Sequence, residues 1–267
     1  MNAPRALVRP VLLVATAALV VAALGFVERT ADRRPVQDLA IDVRAVDEAR
    51  FITPQQVREQ VLRMGEEVVG VPVAEMDLEA IEQRLRAVPW VSTAEAYHTL
   101  DGILHVRVEQ RMPVVRVFDQ DGRGYYLDAE GHTMPLSAQH TARVPVALGA
   151  VHLDGASERV IDLRSADSLI TASRLPEVHR IATFLRQDPF WAALIDQIVV
   201  APDGQFELVP RVGGQRIRIG GADRLDQRFA KLRLFYRQGI DQTDWRRHAI
   251  IDLRFDGQVV CTQRTTP

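Results

Sequence analysis

Acid–base, nucleophilic or metal chemistry in this 267-residue chain would have to come from seven histidines, one cysteine, the serines and 35 acidic residues. Metal binding by histidine favours close pairs such as His-Glu-x-x-His, and the seven are scattered without any such spacing. His98 and His105 fall on neighbouring predicted strands and read as paired surface residues of one hairpin. Asp119-Gln120-Asp121-Gly122 resembles a scrap of a calcium loop, but an Asp-Gly pair between two candidate strands reads more simply as a turn. Gly122-Arg123-Gly124 lacks the third glycine and following helix of a dinucleotide site, and no Gly-x-x-x-x-Gly-Lys cradles a phosphate. Ser137 and Ser173 lie outside any nucleophile elbow, and Ser173 reads as a helix cap. Cys261 sits in a predicted strand and has no second cysteine for an intrachain disulfide. The expectation is a protein that binds, with no catalytic residue, metal or cofactor.

Composition narrows the setting. With 47% hydrophobic and 25% charged residues the chain can bury a core, which excludes low-complexity disorder. The balance of 33 basic against 35 acidic residues gives no signal for nucleic acid. Lys231 is the only lysine, a bias that reads as genome composition.

The segment Val11–Val27, VLLVATAALVVAALGFV, carries no charge. Its seventeen residues span about 25 Å as a helix, enough for a hydrocarbon core with flanking anchors. Ala23-Leu24-Gly25 offers the rival reading of a cleaved signal peptide, but the apolar run exceeds the usual h-region of about 7–15 residues. Arg5 and Arg9 before the run and Arg29, Arg33 and Arg34 after it leave charge undecided about orientation. Size argues that the large C-terminal part is exported, so the expectation is a bitopic envelope protein with residues 1–10 cytoplasmic.

Elements follow from periodicity. Leu39–Arg44 alternates as a strand, and Thr53-Pro54-Gln55-Gln56 opens a helix with a capping box. Val57, Val61 and Leu62 are its expected buried stripe, with Gly65 and Gly70 at the exit. A second helix follows Asp77, with Leu78, Ile81, Leu85 and Val88 on one face and Pro89 at its end. Strands 91–99 and 103–109 join through Asp101-Gly102. The remainder reads mostly as strands: 114–118, 125–128, 195–201, 206–211, 215–219, 249–255 and 259–262. Helices are predicted over 176–186 and 223–237, and the polar stretch 152–171 reads as an insertion loop. The fold class is α+β: a small β-α-α-β-β domain over 36–110, then a larger β-rich domain with two or more helices over 111–263.

That order, behind an N-terminal anchor, resembles the bacterial cell-division FtsQ/DivIB family, and the first exported unit is similar to a POTRA domain. LRAVPWVSTAEAYHTLDGILHVRVEQRMPVVRV, Leu85 to Val117, looks like the family's Pro-Trp-Val core and closing strand. YYLDAEGHTMPL, Tyr125 to Leu136, resembles the Asp-x-x-Gly turn that opens its β domain. KLRLFYRQG and AIIDLRFDGQVV, Lys231–Gly239 and Ala249–Val260, resemble its last helix and closing hairpin. Gln110 departs from the acidic residue often found before the Pro-Val step, with Glu109 displaced by one. The resemblance implies an inner-membrane scaffold at the division septum, without enzymatic activity. Its partners would be the small coiled-coil proteins FtsB and FtsL, and it would link early division components to septal peptidoglycan synthesis. The alternative is a POTRA-bearing transport or outer-membrane assembly component, disfavoured because only one such unit is present. An envelope hydrolase is disfavoured by the missing carboxylate or Ser/His/Asp pattern. The final strand, turned back at Asp256-Gly257, is expected at a sheet edge that would accept a partner strand. Phe255, Gln258, Val259, Val260 and Cys261, with Phe235 and Tyr236 on the last helix, are the expected contact set.

Overall fold

The computed structural model of the chain describes residues 15–16, 18–20, 35–44, 50–62, 68–72, 75–238 and 248–264. The chain divides into two units, one of Met1–Ala45 with Ile52–Gln110 and one of Val46–Phe51 with Arg111–Pro267. Among the described residues no helix is long and apolar enough to cross a membrane. The expected span 11–27 lies largely outside them; the described part, 15–16 and 18–20, is helical.

The first unit is β1 (Asp38–Arg44), α1 (Pro54–Leu62), α2 (Leu78–Arg86), β2 (Val91–His98) and β3 (Ile103–Gln110). Its three-stranded sheet has the order β1-β3-β2, with β1 parallel and β2 antiparallel to β3. The capping box forms as its spacing predicts: Thr53 N donates to Gln56 Oε1 at 2.9 Å, and Gln56 N donates to Thr53 Oγ1 at 3.3 Å. Asp77 caps α2 by accepting from Ala80 N at 2.9 Å. Val57, Val61, Ile81 and Leu85 are buried in one core with Leu104, Val106 and Val108. Leu62 differs from expectation and is 41% exposed, because it follows Val61 by one residue and turns about 100° off the 57–61 stripe. Trp90 is half-buried. The register sets Tyr97 opposite His105 and His98 opposite Leu104, so the two histidines lie on opposite sheet faces and are not a pair. His105 instead stacks on Tyr97 at 5.1 Å.

The second unit runs β4 (Pro113–Phe118), β5 (Gly124–Asp128), β6 (Thr133–Pro135), β7 (Val146–Gly149), α3 (Ser168–Ala172), α4 (Leu175–Arg186), α5 (Pro189–Leu194), β8 (Ile195–Val200), β9 (Phe206–Pro210), β10 (Arg216–Gly220), α6 (Leu225–Gln238), β11 (His248–Asp252) and β12 (Val260–Gln263). Its nine strands follow the order β12-β11-β10-β9-β8-β7-β4-β5-β6. Leu175, Val178, Ile181 and Leu185 of α4 and Leu225, Phe229 and Leu232 of α6 join one core with the sheet. Ser173 joins two helices: its Oγ donates to Ile170 O at 2.6 Å in α3 and accepts from Leu175 N at 3.2 Å in α4. The stretch 152–171 is not a passive insertion. Leu153, Ala156, Leu163 and Ile170 are buried, α3 begins within it, and Ile161 pins β6. There Thr133 N donates to Ile161 O at 2.9 Å and Ile161 N donates to Thr133 Oγ1 at 2.8 Å.

Candidate partner-binding edge

The nine-stranded sheet ends at β6 on one side and β12 on the other. At β6 the segment around Ile161 covers the edge. At β12 the described residues place only β11 alongside, antiparallel, with Ile250 opposite Thr262, Ile251 opposite Cys261 and Asp252 opposite Val260. Leu253 N donates to Arg218 O of β10 at 2.9 Å, so Ile251 and Leu253 direct their backbone groups to β10. Ile250 and Asp252 then direct theirs to β12, where Val260 and Thr262 answer them. Cys261 is left with its N–H and C=O directed outward. Val260, which could donate to a partner only if it faced outward, is turned to β11 instead.

The expected tight turn at Asp256-Gly257, closing strands 249–255 and 259–262, is corrected. The strands stop at Asp252 and resume at Val260, and residues 253–259 form a wider loop with Gly257 at φ +73°. Side chains hold it open. Lys231 Nζ donates to Leu253 O at 3.0 Å, to Gln258 O at 3.5 Å and to Phe255 O. Three carbonyls converge on one ammonium, a task that suits its rotatable donors better than the planar fork of an arginine. Arg224 Nη1 reaches Asp256 Oδ1 at 3.4 Å on the far side of the loop. Asp252 accepts from Arg254 N at 3.1 Å and from its guanidinium. Burial opposes ionisation of Asp252, but these bonds outweigh it and hold the carboxyl below its ordinary range.

Between α6 and this loop lies a groove of about 420 Å³ lined by Lys231, Leu234, Phe235, Gln238, Gly257, Gln258 and Val259. It brings together three of the seven expected contact residues, Phe235, Gln258 and Val259. Val260 and Cys261 stand on β12 beside it, Val260 38% exposed and Cys261 half-buried. Phe255 projects from the loop, 45% exposed. Tyr236 is placed elsewhere. Its ring packs 6.4 Å from Trp191, its hydroxyl accepts from Gln215 Nε2 at 3.4 Å, and burial pushes its phenol up. Burial likewise raises the Cys261 thiol.

This edge belongs to the segment 112–262, which matches a family model described as FtsQ/DivIB, C-terminal related. The chain belongs to the FtsQ/DivIB family. Residues 35–109 of this FtsQ/DivIB chain match a model of a POTRA-like domain. The cell division protein FtsQ of Rhodothermus marinus is 32% identical over 224 residues, covering 82% of this chain and 76% of the relative. The cell division protein FtsQ of Salinibacter ruber is 29% identical over 232 residues, covering 85% and 84%.

Among the described residues of this FtsQ/DivIB chain, two carboxylate–histidine groups have atoms close enough for a cation, Asp119, Asp121 with His152 and Asp128, Glu130 with His132. In each the buried aspartate is already engaged in closing a turn. Asp119 Oδ1 accepts from Asp121 N at 2.9 Å and Arg123 N at 2.8 Å. Asp128 accepts from Arg111 Nη1 at 2.7 Å and from the amides of Glu130 and His132 at 3.0 and 2.7 Å. Glu130 is the twelfth residue counted from Asp119, but β5 runs between them, so 119–130 is a hairpin and not a calcium loop. Lys231, Leu234, Gln238 and Arg224 are the site residues that sequence reasoning misses. Only the singular lysine in an arginine-rich chain gives a hint of any of them.

Proposed function

We propose that this chain is a non-enzymatic scaffold of the cell-division machinery, anchored by residues 11–27, with 1–10 cytoplasmic and both described units on the periplasmic side of the inner membrane. The curated relatives are named cell division protein FtsQ. The uncharged run Val11–Val27 supports the anchor, as do Leu19 and Val20, 71% and 56% exposed on described helical positions. At the septum the scaffold binds small coiled-coil partners of the FtsB/FtsL type and so links early division components to peptidoglycan synthesis.

The observation that carries the binding reading is the contrast between the two ends of the nine-stranded sheet. One is covered by the chain's own residues 159–161, and the other presents the Cys261 backbone beside an apolar groove. An extended partner segment adds there as a further strand, its neighbouring side chains entering the groove against Phe235 and Val259. Proline separates the two roles of the backbone. Cys261→Pro removes an outward N–H without breaking a ladder bond to β11, and abolishes capture of the periplasmic segment of the organism's own FtsB-type protein, with an unchanged circular dichroism spectrum. Val260→Pro breaks the ladder to Asp252 and perturbs the fold as well. Full capture by folded Cys261→Pro rules this edge out as the binding site.

A further inference from the structure

The first unit's sheet also has an edge strand, β2, and its outward backbone groups are treated differently. Thr99 N donates to Ile103 O at 3.1 Å at the hairpin end. Stepping by two, Tyr97, Glu95 and Thr93 bond to β3, while Ala94 and Ala96 direct their N–H and C=O outward. Two side chains of α2 reach round to meet them. Glu82 Oε1 accepts from Ala96 N at 2.9 Å, and Arg86 Nη2 donates to Ala94 O at 3.3 Å. The two are also paired with each other, one helical turn apart. Ala94 and Ala96 are buried under α2, and their small side chains let the helix lie close enough for this reach.

The arrangement copies one residue of an added strand. In a parallel ladder a single residue donates its N–H to the carbonyl on one side of its partner and accepts from the N–H on the other. Glu82 and Arg86 supply that acceptor and that donor astride Glu95. On β1, the sheet's other edge, Arg58 of α1 similarly donates to Leu39 O at 3.3 Å. Exposed edges are templates for association, and two copies of one edge are self-complementary about a two-fold axis.

We propose that Glu82 and Arg86 form an edge guard, a side-chain imitation of a strand that keeps β2 from pairing with β2 of a second copy. Strand addition by this chain is thereby confined to other edges. Glu82→Ala/Arg86→Ala tests it in the full chain, by sedimentation and by hydrogen exchange at the Ala96 amide. At low concentration that amide should exchange about tenfold faster than in the unaltered chain, since its acceptor is gone. With rising concentration the variant should self-associate and the Ala96 amide should become protected again. Glu82→Gln/Arg86→Lys keeps an acceptor and a donor and should behave as the unaltered chain does. If the double alanine variant does not fold, Glu82→Ala alone frees the Ala96 amide and reads the same two quantities. A variant that stays monomeric at all concentrations overturns the guard, as does association without protection at Ala96. β12 is unchanged in every variant, so partner capture at Cys261 reports separately.

Discussion

At the scale of single residues, orientation on a helix decides what a side chain can do. Phe235 and Tyr236 are neighbours about 100° apart on α6, so one lines the groove while the other joins Trp191 inside. Leu225, Phe229 and Leu232 enter the core at helical spacing, and Tyr236, expected among the contact residues, continues that stripe and packs with Trp191. Lys231 acts from the same helix through its ammonium. Lys231→Met keeps the aliphatic stem and takes the donors away from three carbonyls of the 253–259 loop. The expected cost is about 1.5–3 kcal/mol in guanidinium denaturation, the range of a lost hydrogen bond to a charged group. Partner capture should weaken with it, because Gln258 and Val259 line the groove from that loop. An unchanged denaturation midpoint with full capture shows that the loop holds itself.

At the scale of elements, local signals were legible and long-range ones were not. The capping box at Thr53 and Gln56, the Asp77 cap and the helical stripes depend on residues a few places apart, so one sequence window contains their whole cause. Leu85→Ala tests the best of these stripes. The side chain is buried between α2 and the sheet, and emptying such a site should cost about 2–5 kcal/mol in a thermal or denaturant melt. A melt unchanged by the substitution contradicts the face assignment. β6 and β7, of three and four residues, are too short to alternate visibly; β7 exists because β4 and β8 supply partners distant in sequence, and β6 because Ile161 holds it beside its neighbour β5. The strand predicted over 249–255 stops at Asp252 for a related reason. Its alternation continues to Phe255, but Asp252 Oδ1 takes the Arg254 N–H that a longer hairpin would direct to β12, and Lys231 takes the Leu253 carbonyl. Which of the β12 amides faces outward depends on its register with β11, and no local stretch of sequence contains that.

For the whole chain, edge accounting and anchoring meet in one requirement: an edge left open for a partner must be presented where that partner is. The β6 edge is covered by the chain's own segment, β2 is met by Glu82 and Arg86, and among the described residues only β11 lies along β12. If the partner is a membrane-bound coiled-coil protein, holding this chain at the same surface turns a three-dimensional search into a local one and raises the effective concentration of the edge. Retention of residues 11–27 is therefore expected. The run has no charge from Val11 to Val27, exceeds an ordinary h-region, and is flanked by Arg5 and Arg9 on one side and Arg29, Arg33 and Arg34 on the other. About 25 Å of helix is slightly short of a 30 Å core, a mismatch that flanking arginines relieve by snorkelling. The competing outcome is cleavage after Gly25, which would leave a mature chain beginning at Phe26. Intact-mass measurement on protein from fractionated cells distinguishes them. Full mass in the membrane fraction, resistant to carbonate extraction, is expected; soluble protein starting at Phe26 shows that the segment is a signal peptide and that the edge reaches its partner without an anchor.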